Sequence, residues 1–181
     1  VKEIYAEFGR RMERPIKPRI VKEGSCQQEV YTGEEVNVYS LPSPYLHEGD
    51  GGRYIGTWDI VVSQDPDIKW TNWGMYRFMV HNHQYITGDP RAGSDFGIVL
   101  HKKYVPQNKP MPVAAVLGAD PLSHMVATSS YGIGVDEVDY AGALAKAPIE
   151  LVKCITSPLL VPASAEVIIE GEILPDKTAV E

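Results

Sequence analysis

The run YIGTWDIVVS at residues 54–63 is the clearest strand signal in the chain. It is rich in β-branched and aromatic residues, which suit a pleated and partly buried surface, and it is bounded by Gly52 and by Asp65-Pro66. Similar patterns predict further strands at 72–81, 96–100, 112–117 and 167–173. Because turns separate these strands more often than long helices do, the sequence favours an α+β fold around a barrel or a strongly bent sheet over a doubly wound parallel sheet.

Helical spacing appears in a smaller part of the chain. Ile4, Phe8 and Met12 lie on one face of a predicted amphipathic helix that ends before Pro15. Further helices are predicted at about 102–108, 121–127, 137–145 and 149–153. Residues 16–41 are interrupted by prolines and glycines and are expected to form a connection, and residues 81–96 an exposed loop.

Composition excludes several classes of function. The 181 residues carry a formal charge of -7, which argues against a nucleic-acid partner, and no apolar run is long enough for a predicted membrane span. The two cysteines, Cys26 and Cys154, are far apart in sequence and match no metal or redox spacing. Two free thiols and the absence of a secretory signal predict a cytoplasmic protein whose partners are small molecules or other subunits.

Four polar side chains within or beside apolar segments are candidates for chemistry, namely Asn72, Arg77, His101 and Glu137. Amide, imidazole and carboxylate groups together could bind Mg²⁺ or Mn²⁺ and leave positions for a phosphate or water. Their spacing is not diagnostic, and a His next to two lysines also fits a surface or capping residue. Both interpretations remain open on the residues alone.

The turn TSSYGIG at residues 128–134 is small, hydroxylated and rich in glycine. Such a turn lets the backbone approach a phosphate or a flat ring, although ordinary turn chemistry explains the same composition. It has neither the lysine of a P-loop nor the spacing of a dinucleotide fingerprint.

Several segments, in this order, resemble the UbiD family of decarboxylases over most of residues 40–181. They are HxxDxGxYI at 47–55, TNWGMYR at 71–77, His101, GADP at 118–121, GVDE at 134–137 with YAG at 140–142, ELVKC at 150–154, and VPASAE at 161–166 followed by EG at 170–171. The resemblance implies a split β-barrel of the FMN-binding type with peripheral helices. It also implies a homo-oligomer in the complete protein.

The same resemblance assigns roles to individual residues. It implies that Asn72, His101 and Glu137 bind a divalent ion, Mn or Mg, which anchors the phosphate of a prenylated FMN, and that the backbone near Trp73 adjoins a site for a monovalent cation such as K⁺. The residues implied to contact the cofactor are Asn72, Trp73, Gly74, Met75, Arg77, Leu100, His101, Ser129, Ser130 and Tyr131. The implied catalytic residues are Arg77, which orients the substrate carboxylate, and Glu181, the first of two active-site glutamates.

The resemblance also predicts how the chain is organised. Residues 1–41 correspond to a helix and connection left from an N-terminal domain, and residues 42–181 to the cofactor-binding domain. The first residue is Val1 and the family's second catalytic glutamate would follow Glu181, so we expect a piece of a longer protein whose C-terminal domain lies elsewhere.

Two functions therefore follow from the sequence. The first is reversible decarboxylation of an aromatic or α,β-unsaturated carboxylic acid, in which the cofactor acts as electron sink and Arg77 clamps the carboxylate. The second is a flavin-binding module of the same fold without catalysis. A requirement for metal separates the two, since a plain flavin-binding barrel does not need Asn72, His101 and Glu137 as ligands.

Overall fold

A four-stranded antiparallel sheet lies at the centre of the molecule, in the order β10-β7-β3-β4. The computed structural model describes residues 1–180. Their strands are β1 (Arg19–Ile20), β2 (Arg53–Gly56), β3 (Asp59–Gln64), β4 (Thr71–Gly74), β5 (Phe78–Val80), β6 (Ile86–Gly88), β7 (Met111–Leu117), β8 (Glu150–Lys153), β9 (Leu160–Pro162) and β10 (Val167–Ile173). Two smaller sheets, β1-β8-β9 and β2-β5-β6, complete the β structure of the described residues.

The α-helices of the described chain are α1 (Lys2–Met12), α2 (Asp95–Val99), α3 (Pro121–Ala127) and α4 (Glu137–Ala145). The predictions of α1, α3, α4, β7 and β10 are confirmed within a few residues. The helix predicted at 102–108 is replaced by a π-helical segment, Leu100–Tyr104, and a 3-10 turn, Val105–Gln107.

The central sheet separates two hydrophobic cores. Along β3, Ile60 and Val62 face a core shared with α3 and α4, whereas Val61 faces a second core shared with α2 and the β2-β5-β6 sheet. All three side chains are fully buried. A strand buried on both faces is a nearly continuous apolar run, which explains why this segment gave such a clear signal.

The single strand predicted at 54–63 is wrong, because the run forms β2 and β3 in two different sheets. The chain turns at Thr57 and Trp58, and Trp58 points outward and stacks on His124 of α3 with ring centroids 5.3 Å apart. Before this turn Gly56 lies so close to Phe78 that an added Cβ would lie 2.9 Å from the Phe78 Cβ. The strand predicted at 72–81 is likewise divided into β4 and β5, in separate sheets.

The strand predicted at 96–100 is wrong, because these residues are helical. Ser94 caps α2 by accepting a hydrogen bond from the Gly97 N–H at 3.1 Å, and Asp95 places an acid in the first turn. His101, which would directly follow the strand predicted at 96–100, instead lies in the π-helical segment that continues from α2.

The helix predicted at 149–153 is also wrong, because Glu150–Lys153 is strand β8. It pairs in parallel with β1 and antiparallel with β9, so partners that are distant in sequence decide its conformation. The predicted exposed loop at 81–96 contains strand β6 and the start of α2.

The expected mixture of helices and sheets is confirmed, and none of the sheets in residues 1–180 closes into a barrel. The described residues include no helix with the length and apolar character needed to span a membrane.

Candidate metal and cofactor site

A cavity of about 480 Å³ opens where the edge of β4 meets α4, the end of α3 and the start of α2. Its walls are Asn72, Trp73, Gly74, Met75, Tyr76, Gly93, Ser94, Asp95, Ala127, Thr128, Ser129, Ser130 and Glu137. We call it the small cavity. It brings together seven residues predicted from the sequence, namely Asn72, Trp73, Gly74, Met75, Ser129, Ser130 and Glu137.

Glu137 is the carboxylate of the small cavity. It begins α4, is 1% exposed, and accepts a hydrogen bond from the backbone N–H of Trp73 at 2.9 Å. Burial raises the pKa of Glu137 to about 7, and the hydrogen bond from Trp73 opposes that rise. A carboxyl group held this far from water gains strongly from a nearby cation, which would favour its ionised form.

The segment before α4 pairs with the edge of β4 and sets this geometry. The backbone N–H of Thr71 donates to the Asp136 carboxylate at 2.9 Å, and the Trp70 indole N–H donates to the Val135 carbonyl at 3.0 Å. The Asp136–Thr71 bond and the Glu137–Trp73 bond satisfy two backbone N–H groups on the edge of β4 that has no neighbouring strand. They hold the first turn of α4 against the strand that carries Asn72.

Asn72 lies on β4 and is 2% exposed. Its side-chain N–H donates to the Ser63 hydroxyl on the paired residue of β3, at 3.4 Å. With the amide nitrogen engaged in this way, the carbonyl oxygen Oδ1 is the atom available as a ligand.

The groups of the small cavity suit a hard divalent cation. Carboxylate and amide oxygens are ligands that Mg²⁺ and Mn²⁺ accept, and the nearby hydroxyls can bind a phosphate. No cluster of three or more His, Cys, Asp or Glu side chains in residues 1–180 could hold a metal. An ion in this cavity would therefore need the Asn72 oxygen, hydroxyls, water or a ligand phosphate beside Glu137.

The structure does not bring His101 into the small cavity. His101 and Leu100 line a larger cavity of about 880 Å³, between the central sheet and β5-β6, whose walls include Phe78, Phe96 and Ile169. The His101 ring is exposed, and its Nε2 lies 3.3 Å from the Pro90 carbonyl oxygen. The π-helical geometry around it is rare and occurs frequently at functional sites.

The hydroxylated turn after α3 reaches the small cavity with two of its three predicted residues. The Ser129 hydroxyl donates to the Met125 carbonyl at 3.3 Å, which fixes the turn to the last part of α3. Tyr131 lies outside the cavity lining and stacks on Tyr140 of α4, with ring centroids 4.4 Å apart. Burial raises the pKa of the Tyr131 phenol.

Arg77 lies between β4 and β5, and its guanidinium carbon is 5.2 Å from the centre of the Tyr54 ring, a cation–π contact. Its charge also contributes to the lowered pKa of Asp50, behind the larger effect of the His47 backbone N–H. Arg77 does not line the small cavity. Glu181, the predicted catalytic acid, lies outside the described residues.

Comparison with known proteins agrees with the motifs. Residues 19–181 match the family model described as the UbiD 3-octaprenyl-4-hydroxybenzoate carboxy-lyase Rift-related domain. The chain belongs to the UbiD family. It is 40% identical over 167 residues to pyrrole-2-carboxylic acid decarboxylase of Pseudomonas aeruginosa, a match that covers 92% of this chain and 34% of the relative.

Solved structures of UbiD-class enzymes have the same fold. Vanillic acid decarboxylase of Sedimentibacter hydroxybenzoicus in its closed form superposes with a TM-score of 0.91 at 32% identity, covering 97% of this chain and 38% of that one. An evolved dimeric form of HmfF from Pelotomaculum thermopropionicum, in complex with prFMN, gives a TM-score of 0.85 at 30% identity over 94% of this chain and 40% of that one. This UbiD chain spans about a third of the length of the curated relatives it matches.

Sequence reasoning missed two residues that lie beside the predicted ones. Ser63 holds the Asn72 amide, and Tyr76 lines both the small and the larger cavity. The signal for Tyr76 was present, because it lies inside the TNWGMYR segment between two residues that were assigned roles. Ser63 gave no local signal, since its partnership with Asn72 follows from the pairing of β3 with β4.

Proposed function

We propose that this chain is the cofactor-binding part of an enzyme that reversibly decarboxylates an aromatic or α,β-unsaturated carboxylic acid, using prenylated FMN and a divalent metal, Mn or Mg. The observation that carries the proposal is the small cavity, in which the buried Glu137 carboxylate and the Asn72 amide lie together beside the Ser129-Ser130 turn. The relatives are named decarboxylases of small carboxylic acids, and one structural neighbour contains prFMN.

In this proposal Glu137 and Asn72 supply oxygen ligands to the metal, and the turn faces the cofactor phosphate. His101 lines the other cavity, so its role as a third ligand depends on the family resemblance alone. The backbone near Trp73 is part of the proposal as the neighbour of a monovalent cation, K⁺. The carbonyls there carry partial negative charge and suit such an ion.

The bound cofactor would supply an electron sink for the carbon that loses carbon dioxide. The protein's own residues bind and orient the acid. Arg77 offers a planar group with donors spaced for a carboxylate, and its contact with Tyr54 holds the guanidinium beside the 47–55 segment. Glu181 is proposed as the proton donor to the product carbon, a general acid role.

Three further features belong to the proposal. The complete protein is a homo-oligomer of cytoplasmic location, in keeping with the two free thiols of Cys26 and Cys154. We also propose that residues 42–181 correspond to the FMN-binding split-barrel domain of the family, preceded by a helix and connecting segment at residues 1–41.

The second candidate is a flavin-binding module without catalysis. The raised pKa of Glu137 and the placement of His101 outside the small cavity are compatible with a chain that binds flavin but no metal. Flavin absorption measured together with metal content separates the two candidates. Bound flavin without bound or required metal favours the module.

The proposed role of Arg77 predicts the effect of its replacement. With prenylated FMN and Mn²⁺ present, we expect Arg77→Ala to lower kcat/KM for carbon dioxide release by about 100-fold or more, because a charge-assisted bidentate clamp is lost. Arg77→Lys keeps the charge but not the planar group and should recover only part of the activity. Full activity in Arg77→Ala would contradict the assigned role.

A further inference from the structure

Asp95 is a second acidic residue in the walls of the small cavity, in addition to Glu137. It is the first residue of α2 and is half-buried. The capping acceptor of α2 is the Ser94 hydroxyl, which accepts a hydrogen bond from the Gly97 N–H at 3.1 Å. Capping of the helix therefore does not account for an acid at position 95.

The walls of the small cavity carry no positive charge that could balance these two acids. Among the described residues, its lining contains no Lys, Arg or His. The other polar groups of the lining are uncharged amide, hydroxyl, phenol and indole groups. Two carboxylates that share a site repel each other, and partly buried carboxylates are costly to keep ionised unless a cation is close. A cation is therefore the ligand that this lining favours.

The Asn72 side chain gives a second and independent indication of a cation. It lines the same cavity and is 2% exposed, and its amide nitrogen donates to the Ser63 hydroxyl at 3.4 Å. No donor among the described residues forms a hydrogen bond to the carbonyl oxygen of this side chain. A buried carbonyl oxygen needs a partner, and near two carboxylates a hard cation suits it better than an anion does.

The size of the small cavity brings both negative charges within reach of one ion. A compact space of about 480 Å³ is roughly 10 Å across, which is about one Debye length at 0.1 M salt. An ion inside it is therefore attracted by both carboxylates with little screening. Glu137 alone gives the site one negative charge, and Asp95 adds a second, so that the total matches the charge of a divalent ion.

We propose that Asp95 supplies the second negative charge of a divalent-cation site in the small cavity, where Glu137 supplies the first. This inference rests on the proposed function, in which that cavity holds Mn or Mg. Direct contact is not required, because Mg²⁺ usually keeps several of its waters and a carboxylate can act through one of them. The two charges also make a phosphate at the Ser129-Ser130 turn dependent on the cation, since an anion alone would be repelled.

The test compares Mn²⁺ binding by the protein and its variants, measured from the electron paramagnetic resonance signal of free Mn²⁺ without flavin. Asp95→Asn keeps the shape of the side chain and removes its charge. We expect its Kd for Mn²⁺ to rise by about tenfold or more, because a divalent ion loses the attraction of a carboxylate several Å away. Asp95→Glu keeps the charge, and we expect its Kd to stay within about threefold of that of the unmodified protein.

Asp176→Asn is the matched control. Asp176 is exposed and lines neither cavity, so this variant makes the same change in net charge away from the site. We expect it to bind Mn²⁺ as tightly as the unmodified protein. Circular dichroism shows which variants fold. A folded Asp95→Asn variant with an unchanged Kd would overturn the proposal, and so would equal losses in Asp95→Asn and Asp95→Glu, because the charge would then not be what matters.

Glu137→Gln distinguishes this failure from a failure of the proposed function. If the unmodified protein binds Mn²⁺ and Glu137→Gln does not, the metal site stands, and an unaffected Asp95→Asn then contradicts only the role of Asp95. If the unmodified protein and Glu137→Gln bind Mn²⁺ equally, or neither binds it, the metal site of the small cavity is wrong and the inference falls with it.

Discussion

At the residue scale, the least expected group is the carboxyl of Asp59 at the start of β3. The side chain is fully buried, and neither oxygen has a hydrogen-bond partner among the described residues. An added Cβ on Gly56 would lie 2.7 Å from Asp59 Oδ2, so the carboxyl occupies the space that the glycine leaves. Burial raises the pKa of Asp59 to about 7. The neutral acid is therefore the form that the fold accommodates.

This shift predicts a pH-dependent free energy of unfolding. In the unfolded chain Asp59 ionises near its ordinary pKa of 3.8, whereas in the folded chain burial raises its pKa to about 7, so it keeps its proton up to about that pH. The unfolded state binds fewer protons between these values, so the stability contribution of Asp59 falls as pH rises from about 4 to about 7 and then stays low. Asp59→Asn cannot ionise and should lose this part of the dependence.

The measurement is urea unfolding of the protein and of Asp59→Asn from pH 4 to pH 8. At each pH the free energy of unfolding of the protein is subtracted from that of the variant, which removes the contributions of other groups. We expect this difference to shift in favour of the variant as pH rises, by an amount on the order of 1–4 kcal/mol. A difference that does not change with pH would show that Asp59 is ionised in the folded protein.

At the element scale, α3 determines where the Ser129-Ser130 turn lies. Its N-cap, Asp120, accepts hydrogen bonds from the backbone N–H groups of Leu122 and Ser123 at 3.0 and 3.1 Å, and Pro121 occupies the first helical position. Seven residues later the helix ends at the turn that lines the small cavity. Weakening α3 would therefore lower the stability of the protein and also disturb the turn that lines the small cavity.

We expect Asp120→Ala to lower the free energy of unfolding by roughly 0.5–2 kcal/mol, the usual effect of removing an N-cap acceptor. Asp120→Asn keeps an acceptor oxygen and is the matched control, with a loss well below that of the alanine variant. Denaturant unfolding monitored by circular dichroism would measure both. Equal losses in the two variants would show that the negative charge of Asp120, rather than its capping bonds, stabilises α3.

Elements with a strong local pattern were predictable, and elements defined by distant partners were not. The spacing of Ile4, Phe8 and Met12 gave α1 correctly, whereas short apolar runs gave a strand at 96–100 and a helix at 149–153 that are both wrong. Such runs fit either conformation, and the choice depends on tertiary pairing. Only the contacts of β8 with β1 and β9 identify it as a strand.

The residues of the small cavity also depend on contacts between distant parts of the sequence. Family motifs indicated Asn72 and Glu137, and the structure brings these two residues, 65 positions apart in the sequence, to one cavity through the pairing of residues 135–137 with the edge of β4. No local pattern encodes that pairing. For the same reason the place of Tyr76 in the walls of both cavities was not predicted, since it requires both cavities to be known.

At the scale of the whole molecule, two cavities of different character meet at a single strand end. The small cavity is lined by oxygen groups suited to a metal and a phosphate, and the larger one is mainly lined by apolar and aromatic side chains. A flavin phosphate ester likewise combines a charged group with a flat apolar ring system, and the proposed function assigns its phosphate to the small cavity.

The most direct test of the central claim is metal-dependent flavin binding. FMN fluorescence is titrated with the protein in the presence of Mn²⁺ and in the presence of a chelator, and the titration is repeated with Glu137→Gln. If the small cavity binds a metal that anchors the flavin phosphate, Mn²⁺ should tighten FMN binding by about tenfold or more in the unmodified protein and have no effect in Glu137→Gln. FMN affinity that is the same with Mn²⁺ and with chelator would contradict the claim and favour the non-catalytic module.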